Sequence, residues 1–425
     1  MKIAIIGTGI AGNVSAWHLC KNHDITVFEA GDHIGGHTHT HDIVYGGTQH
    51  AIDTGFIVFN DWTYPNFIAL LDELGVASRP TNMGFSSRCE SSGIEYNGSS
   101  LNQLFTQRRN IFRPRFLGMI RDILRFNRES PELIGHRDDE AMSLGEYLED
   151  NDYGRLFIDN YIIPMGAAIW STDPQQMLEF PACYFVRFFA NHGLLNIKVR
   201  PQWRVIEGGS REYVKKLTAP FKDRIRLNEA VVSVKRLPTH VELNTSTGKV
   251  ERFDHLFIAT HSDQALNILE DPSNLEQAVL GAIPYQNNDV VLHTDTSILP
   301  KNRRTWAAWN YLRRQAPGQR VSVTYNMNML QGIRSRETFC VTLNDTQNID
   351  PDKVIRRMQY QHPVFTPQGV AAQKQHRDIN GKQRTWYCGA YWRFGFHEDG
   401  VVSALDALRD FKEYDDAQSS LRRAS

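Results

Sequence analysis

The stretch Lys2–Leu19, KIAIIGTGIAGNVSAWHL, decides the fold. Lys2–Ile6 is nearly all apolar, as expected for a parallel strand that is buried on both faces. It leads directly into the pattern Gly7-x-Gly9-x-x-Gly12 and then into a predicted helix. Gly7 permits a tight turn, Gly9 lets the backbone approach a diphosphate, and Gly12 lets the helix pack closely on the strand.

The residues around this motif predict a dinucleotide site. The helix is expected to begin near Ile10 and Ala11, so that its first N–H groups face a bound phosphate. A second strand pattern, DITVFEA, ends in Glu29 and Ala30. An acid at this point accepts hydrogen bonds from an adenosine ribose. The alternative is a glycine turn between unrelated elements, but the order of strand, glycines, helix, strand and acid favours a Rossmann-like α/β domain.

The next residues, EAGDHIGGHT, resemble the flavin-containing amine oxidase and phytoene desaturase superfamily. In that superfamily a glycine pair lets the chain pass over the FAD diphosphate, and here the pair is Gly35 and Gly36. A basic residue often follows the pair, and His37 occupies its position. The resemblance implies FAD as the cofactor and assigns all three residues to its binding.

Four middle segments also resemble this superfamily. In one of them, VIEGGSREYVKKL, the chain would re-enter the FAD domain. HAIDTGFIVFN would pass beneath the flavin, IRLNEAVVSVKRL would meet the adenine through its backbone, and FDHLFIAT would end near the cofactor. The residues that the resemblance assigns to the cofactor in these segments are Asp53, Gly55, Phe56, Val232, Ala259 and Thr260.

The segment WYCGAYWRFGFHEDGVVSALDAL resembles the closing flavin motif of the superfamily. The resemblance places Gly389 under the ribityl chain and Gly400 just before a helix that starts near Val401. The N–H groups of such a helix would stabilise negative charge at the flavin N1/O2 edge. The superfamily commonly has an acid where Ala390 stands, so Glu398 or the adjacent Asp399 substitutes for it, or the ribityl contact is absent. The substrate-cavity candidates are Phe56, Tyr391 and Trp392.

These motifs lie in three pieces of the chain, which predicts a discontinuous FAD-binding domain of residues 1–75, 205–265 and 380–415. Residues 76–204 and 266–379 would form a second, α+β substrate domain. Its first part has helical patterns interrupted at Pro164, and its second part has strand patterns such as DVVLHTD and VSVTYNM. Residues 416–425 are predicted to be a polar tail.

Composition excludes several classes of protein. Of the 425 residues 41% are hydrophobic and 22% charged, with a net charge of -1, so no global field would attract nucleic acid. The five cysteines are far apart and form no CxxC pair, which argues against disulfides and fits a cytoplasmic protein. No apolar run approaches the roughly 20 residues that span a bilayer. The sequence leaves the oligomeric state open.

Residues 108–128 form a basic segment that could contact the inner face of a membrane peripherally. Apolar residues recur at helical spacing after Pro114, and arginines occupy another face. The alternative is a helix of the substrate domain with a solvated arginine face. The apolar set is Phe116, Met119, Ile120, Ile123 and Leu124, and the arginines of the helix are Arg121, Arg125 and Arg128.

Three histidines, His37, His39 and His41, alternate along a predicted strand, so their rings would lie on one side. Imidazoles are common metal ligands, which makes a metal site an alternative. No acidic or cysteine partner can be identified in the sequence, and the glycine pair precedes His37 directly. We therefore predict no metal site, and we assign no role to His39 or His41.

No nucleophile or base pattern such as GxSxG, HExxH or SxxK occurs, as expected if a cofactor performs the chemistry. The segments RPQWRVIEGGSREYV, WAAWNY and YQHPVFTP resemble a bacterial subgroup of flavin-containing amine oxidases, some of which are associated with cyclopropane or methylated fatty-acyl metabolism. The resemblance implies an FAD-dependent desaturase or oxidase of lipid acyl chains. The alternatives are an amine oxidase, a redox-neutral flavin isomerase or mutase, and a regulatory flavin-binding protein.

Overall fold

The computed structural model of the chain describes residues 1–135, 142–170, 174–314 and 322–424. Its strands are β1 (Lys2–Ile6), β2 (Asp24–Phe28), β3 (Thr40–Tyr45), β4 (Thr48–Asp53), β5 (Phe59–Asn60), β6 (Ser78–Pro80), β7 (Phe85–Cys89), β8 (Ile94–Asn97), β9 (Trp203–Ile206), β10 (Ile225–Arg226), β11 (Val231–Arg236), β12 (Val241–Thr245), β13 (Val250–Phe253), β14 (His255–Ile258), β15 (Tyr285–His293), β16 (Trp309–Arg313), β17 (Ser322–Asn326), β18 (Cys340–Leu343), β19 (Val354–Pro363) and β20 (Thr385–Tyr387).

The α-helices are α1 (Ile10–Leu19), α2 (Pro65–Glu73), α3 (Leu101–Leu104), α4 (Pro114–Glu129), α5 (Leu144–Asp150), α6 (Arg155–Phe157), α7 (Ile163–Trp170), α8 (Pro174–Leu178), α9 (Ala182–Asn191), α10 (Arg211–Thr218), α11 (Ser262–Ile268), α12 (Asn274–Leu280), α13 (Met327–Leu330), α14 (Pro367–Gln373), α15 (His376–Ile379) and α16 (His397–Ala424).

A five-stranded parallel sheet forms one half of the molecule, in the order β10-β2-β1-β14-β20. The central strand β1 is fully buried from Ile3 to Ile5 because helices cover one face of the sheet, and the three-stranded sheet β11-β12-β13 with α11 and α12 covers the other. Helices α1, α10 and α16 contribute to the core on one face. This arrangement confirms the predicted Rossmann-like α/β architecture.

A seven-stranded sheet forms the other half, in the order β19-β15-β18-β17-β16-β7-β8. All of its neighbouring strands are antiparallel except β16 and β7, which are parallel. The first five residues of DVVLHTD lie in β15, and residues 322–326 of VSVTYNM form β17. Helices α4 to α9 pack against this sheet in a core rich in phenylalanine and tyrosine. The boundaries proposed between the two domains stay a prediction.

Two helix boundaries differ from the sequence prediction. Pro164 lies inside α7, and the irregular stretch before it is a π-helical turn, Ile158–Ile162. Pro164 has no N–H to donate to the carbonyl group four residues earlier. The regular α-helix is therefore interrupted in the turn before Pro164 and not at Pro164 itself. The final helix begins at His397 instead of near Val401 and continues through the predicted tail to Ala424; Ser425 lies outside the described residues.

Within the described ranges, no helix combines the length and the apolar character needed to cross a membrane.

Candidate cofactor-binding site

The turn after β1 has the geometry that a diphosphate requires. Gly7 has φ +100°, and a Cβ there would lie 2.8 Å from the carbonyl oxygen of Ala259. A Cβ on Gly12 would lie 1.9 Å from the Gly7 oxygen, so α1 packs directly on the turn. A Cβ on Gly9 would meet no protein atom within 4 Å. Open space therefore lies in front of Gly9, at the N-terminus of α1, where Ile10 and Ala11 begin the helix.

The second glycine motif lies against the first. Gly36, at φ +58°, is close enough to Gly9 that an added Cβ would be 3.1 Å from its Cα. The Gly35 N–H donates to Thr8 Oγ1 at 3.3 Å. The structure thus brings together the two motifs that the sequence assigned to a diphosphate, although 22 residues separate them.

The Gly55 turn fixes the position of His37. A Cβ on Gly55 would lie only 2.0 Å from the His37 carbonyl oxygen, so no other residue permits this approach. The next residue, Phe56, donates its N–H to the same oxygen at 2.8 Å. The predicted segment beneath the flavin therefore runs alongside the glycine pair.

Glu29 retains acceptor capacity at the end of β2. Its carboxylate accepts the Thr8 N–H at 2.9 Å and the Gly31 N–H at 2.8 Å, and the side chain is half-buried beside the exposed Ala30. It also accepts the Thr8 hydroxyl. A carboxylate has about four lone-pair positions, so one position is left for a ribose hydroxyl.

Two further segments that the sequence assigned to the cofactor contain an unpaired backbone position or half-buried residues. The pairing of β11 with β12 shifts between Val231 and Ser233, which leaves Val232 in a bulge without a partner residue, and its side chain is 49% exposed. Ala259 and Thr260 follow β14 directly and lie half-buried beside Gly7. These positions agree with contacts to an adenine and to the cofactor turn.

His37 lies among other aromatic rings, with its centroid 5.2 Å from Tyr360, 5.5 Å from His362 and 6.1 Å from His261. Burial lowers its pKa to about 4, so the ring is neutral near pH 7. Nε2 of His37 and Nδ1 of His261 are buried without a hydrogen-bond partner among the described residues. Unpartnered polar atoms of this kind fit a bound group that supplies the missing partner.

The two other histidines of the alternating set have partners in the protein. His39 stacks on His33 and contacts His41, each at 4.0 Å between ring centroids. The Arg356 guanidinium donates to His41 Nδ1 at 3.1 Å. Burial lowers the pKa of His39 to about 4 and of His41 to about 3. No group of three histidine, cysteine or acidic side chains able to hold a metal occurs in the part of the chain that the structure describes.

Asp53 is fully buried and positions the Gly55 turn through the protein, whereas the sequence placed it against the cofactor. Its carboxylate accepts the Ser210 N–H at 3.0 Å, the Ser210 hydroxyl at 2.8 Å and the Gln331 amide at 2.9 Å. It also accepts the Thr40 hydroxyl. Burial raises the pKa of Asp53 to about 6, although the hydrogen bonds from Thr40 and Ser210 lower it. Asp53 thereby ties β4 to the start of α10.

The closing motif brings α16 against α1. A Cβ on Gly400 would lie 2.5 Å from Ile10 Cγ2, and the Gly400 N–H already donates to the Phe396 carbonyl. Gly400 therefore lies within the first turn, and Val401 is 2% exposed in the core instead of starting the helix. The N–H groups without intrahelical partners shift to residues 397–399. Gly389 donates its N–H to Ser403 Oγ at 2.6 Å.

Glu398 contacts another helix. One carboxylate oxygen accepts the Asn66 N–H at 3.0 Å and the Asn66 side-chain amide at 2.7 Å, and the other accepts the Phe67 N–H at 2.8 Å. It thus caps the N-terminus of α2. Asp399 accepts the Phe396 N–H at 2.8 Å, and burial raises its pKa to about 7. A ribityl contact by either acid stays a prediction.

Tyr391 and Trp392 pack in the core instead of lining a cavity. They are 3% and 5% exposed and belong to the cluster behind the parallel sheet, where Trp392 stacks on His376 at 4.1 Å. Phe56, the third cavity candidate, is half-buried and stacks on His397 at 3.7 Å. The sequence position next to the flavin turn was therefore a poor guide to the direction of the two side chains.

The chain matches the family model of flavin-containing amine oxidoreductases over residues 10–409. It belongs to this family. Its enzymes are flavin-dependent oxidoreductases, so the family implies a flavin cofactor. The assignment of the space in front of Gly9 and of His37 to this cofactor stays a prediction. No curated protein sequence matches the chain.

Solved structures of flavoenzymes share the fold of this family member. A fatty acid isomerase from P. acnes, which produces CLA, has a TM-score of 0.71 at 16% identity and covers 96% of this chain and 98% of its own. Cyclohexylamine oxidase from Brevibacterium oxydans has a TM-score of 0.68 at 15% identity, with coverages of 97% and 99%. Putrescine oxidase bound to putrescine has a TM-score of 0.65 at 16% identity, with the same coverages. At these identities the comparison shows the fold alone.

Sequence reasoning missed a wall of aromatic rings in this flavoenzyme. We call it the aromatic wall; its members are Tyr184, Phe188, Phe365, Phe394 and Phe396. Phe188 lies 5.6 Å from Phe394 and 5.0 Å from Phe396, between ring centroids. Phe394 and Phe396 immediately precede α16, whose N-terminus would face the flavin. The phenylalanines before HEDG were the available signal, but nothing in the sequence indicated that α9 packs on them.

His397 was also missed. Its Nε2 is hydrogen-bonded to the Tyr213 hydroxyl at 2.7 Å, which is hydrogen-bonded in turn to Thr38 Oγ1 at 2.7 Å. Burial lowers the pKa of His397 to about 3. The chain of three groups links α16, α10 and the residue after His37, and so it fixes the relative positions of these three segments.

Proposed function

We propose that this flavin-dependent oxidoreductase binds FAD and takes a hydride from a C–H bond of a lipid acyl chain. FAD is supported by separate places for its parts: the space before Gly9 for the diphosphate, Glu29 for the ribose and the Val232 bulge for the adenine. FMN would need neither Glu29 nor the bulge, because it lacks the adenosine.

The aromatic wall is the observation that carries the choice of substrate. Its rings come from α9, from the loop after β19 and from the residues just before α16. Phe394 and Phe396 are half-buried and pack against the large apolar core of the helical layer. Tyr184, Phe188 and Phe365 are 6%, 3% and 3% exposed, so the protein already covers them, and only Phe394 and Phe396 present ring surface to a ligand. That surface gains free energy by burying methylene groups, at about 0.8 kcal/mol for each one.

The charges near the wall favour an uncharged substrate over an ammonium ion. Asp399 borders the wall through its hydrogen bond to Phe396. Burial raises its pKa to about 7, so it is about half protonated at pH 7 and largely protonated only at lower pH. A protonated acid is a weak counter-ion for an amine, which makes C–N oxidation the second candidate.

In the proposed reaction a hydride leaves one acyl carbon, a proton leaves the neighbouring carbon, and a C=C bond forms. Bound flavin supplies the two-electron acceptor, and oxygen or a quinone takes the electrons afterwards. The protein binds the chain along the aromatic wall and excludes water from the reacting carbons.

The fatty acid isomerase among the neighbours supports a variant of this proposal. That enzyme acts on a fatty acid, and isomerisation involves no net redox change. The aromatic wall would bind the substrate of such a reaction equally well, because its rings contact the acyl chain whether or not electrons are transferred. Isomerisation of an acyl chain is therefore the redox-neutral alternative, whereas sugar-nucleotide mutases would require a polar cavity.

Anaerobic spectroscopy of the FAD-loaded enzyme tests these alternatives. We expect phospholipids with unsaturated or cyclopropane acyl chains to bleach the flavin absorbance near 450 nm, with one new double bond per flavin reduced. Bleaching by cyclohexylamine or putrescine alone would contradict the lipid proposal. Turnover of the lipid with the flavin still oxidised would establish isomerisation, and a protein that cannot be loaded with FAD would overturn the shared premise.

A further inference from the structure

The packing of α4 changes the role that its sequence suggested. Phe116, Met119 and Phe126 are buried in the core of the helical layer, each at most 1% exposed. This is the apolar face of the amphipathic helix. Because the protein itself covers it, this face is not available to a membrane.

The opposite face of α4 has a different composition. Leu117, Arg121, Leu124 and Arg128 follow one another at spacings of four, three and four residues, which places them on one stripe of the helix. The two leucines are 44% and 47% exposed. Leu124 thus lies with the arginines, although its spacing had grouped it with the core residues.

The residues that precede α4 extend this exposed apolar set. Phe112 is 85% exposed, Leu101 76% and Ile111 42%. A phenylalanine exposed to this extent is unusual because burying its ring is worth about 1.5–3 kcal/mol. We define the interfacial surface as the five exposed apolar residues and the arginines between Leu101 and Arg128. The apolar residues are Leu101, Ile111, Phe112, Leu117 and Leu124.

The charge of this segment is strongly positive. Between Leu101 and Arg128 there are seven arginines and one acidic residue, Asp122, in a chain of net charge -1. Asp122 is buried and accepts the Gly154 N–H at 3.0 Å. Among the described residues, no carboxylate lies within 4.0 Å of Arg109 or Arg115, both of which are exposed.

We propose that the interfacial surface docks the protein on a bilayer that contains anionic phospholipids. Exposed apolar side chains would enter the headgroup boundary, and the arginines would contact lipid phosphates, an arrangement typical of interfacial elements. An apolar protein partner would explain the leucines but not the unpaired arginines. This proposal does not depend on the substrate, although it would place a lipid-modifying enzyme beside its substrate.

Sedimentation of the full FAD-loaded chain with vesicles tests this surface. Vesicles of phosphatidylcholine with 30% phosphatidylglycerol are compared with vesicles of phosphatidylcholine alone, at low and at high salt. We expect binding only to the anionic vesicles and weaker binding at high salt. Arg109→Gln together with Arg115→Gln should weaken binding about 25-fold, since each basic residue contributes about fivefold. Phe112→Asn should weaken it about tenfold.

Matched variants keep the test specific. Val44 is 74% exposed, and Arg334 and Arg336 are exposed, all of them outside the interfacial surface. Val44→Asn is therefore the control for Phe112→Asn, and Arg334→Gln together with Arg336→Gln is the control for the double arginine variant. Both controls should bind the vesicles as the unaltered chain does. Equal binding of all variants, or no binding to anionic vesicles, would overturn the proposal. So would concentration-dependent dimerisation in sedimentation velocity that Phe112→Asn abolishes, because a second copy would then cover the surface. Circular dichroism shows that each variant is folded.

Discussion

Gly9 and Gly12 belong to one motif, but the space around them differs. A Cβ on Gly9 meets no protein atom within 4 Å, and its φ of -63° suits any residue. We therefore expect Gly9→Ala to leave the melting temperature of the flavin-free protein unchanged while FAD affinity falls at least tenfold. Isothermal titration of the flavin-free protein with FAD measures the affinity.

Gly12→Ala is the contrasting variant, since its Cβ would lie 1.9 Å from the Gly7 oxygen. It should lower the melting temperature even without FAD. Gly98→Ala, with open space and no cofactor nearby, should change neither quantity. If Gly9→Ala lowered the melting temperature as much as Gly12→Ala, the space in front of Gly9 would not be the diphosphate site.

His37 has an unpartnered buried nitrogen, and we expect it to donate to the cofactor. His37→Ala should weaken FAD binding roughly fivefold, because one hydrogen bond contributes about 1 kcal/mol net. The ratio of flavin to protein absorbance after gel filtration, together with the FAD titration, measures the loss.

His41→Ala is the control, since both ring nitrogens of His41 already have partners in Thr54 and Arg356. It should lower the melting temperature and leave the FAD dissociation constant unchanged. Equal loss of FAD in both variants would contradict the role assigned to His37, because the effect would then come from the histidine cluster as a whole.

At the scale of elements, Glu398 joins α16 to α2. It accepts two N–H groups at the start of α2, which otherwise lie buried without a partner. Glu398→Gln should lower stability by about 1–2 kcal/mol, since an amide can accept with one oxygen only. Urea denaturation measures the change.

The FAD affinity of the variant distinguishes this capping role of Glu398 from a contact with the ribityl chain. If Glu398 only caps α2, Glu398→Gln keeps the FAD affinity of the folded protein. A tenfold loss of affinity would instead support the ribityl contact. Glu413→Gln, an exposed exchange on the same helix, should change neither stability nor affinity.

The elements of the parallel sheet could be predicted because their signals are local. An apolar strand, a glycine turn and a helix occupy 18 consecutive residues, and only one arrangement satisfies them. The start of α16 could not be predicted in the same way. Gly400 was interpreted as a residue that precedes a helix, but it is required by the contact of α16 with Ile10, which is 390 residues away in the sequence.

At the scale of the whole molecule, the substrate side was the least predictable. The aromatic wall combines residues from α9, the loop after β19 and the start of α16, and no spacing in the sequence relates these segments. The same holds for the outer stripe of α4, where Leu124 fits the core periodicity and yet is exposed. Which face of an element is covered depends on its neighbours, which a local pattern does not contain.

The number of buried neutral histidines predicts how the whole fold responds to acid. Burial lowers the pKa of nine described histidines to about 3 or 4: His37, His39, His41, His192, His255, His261, His293, His362 and His397. The unfolded chain takes up protons at these groups below about pH 6.5, whereas the folded chain does not. Their contribution to stability is therefore complete above pH 6.5 and is lost as the pH falls towards 4.

Two carboxylates act in the opposite direction. Burial raises the pKa of Asp53 to about 6 and of Asp399 to about 7, so the folded chain takes up these protons before the unfolded chain does. Their contribution to stability grows as the pH falls below 7. Nine histidines lose stability over this range and two acids gain it, so the net stability is expected to fall with the pH.

We expect the melting temperature to fall by about 10 °C or more between pH 7 and pH 5, which scanning calorimetry at constant ionic strength measures. His192→Asn should reduce this slope, since it removes one of the nine groups. A melting temperature that stays level over this range would mean that the histidines are not held neutral by burial.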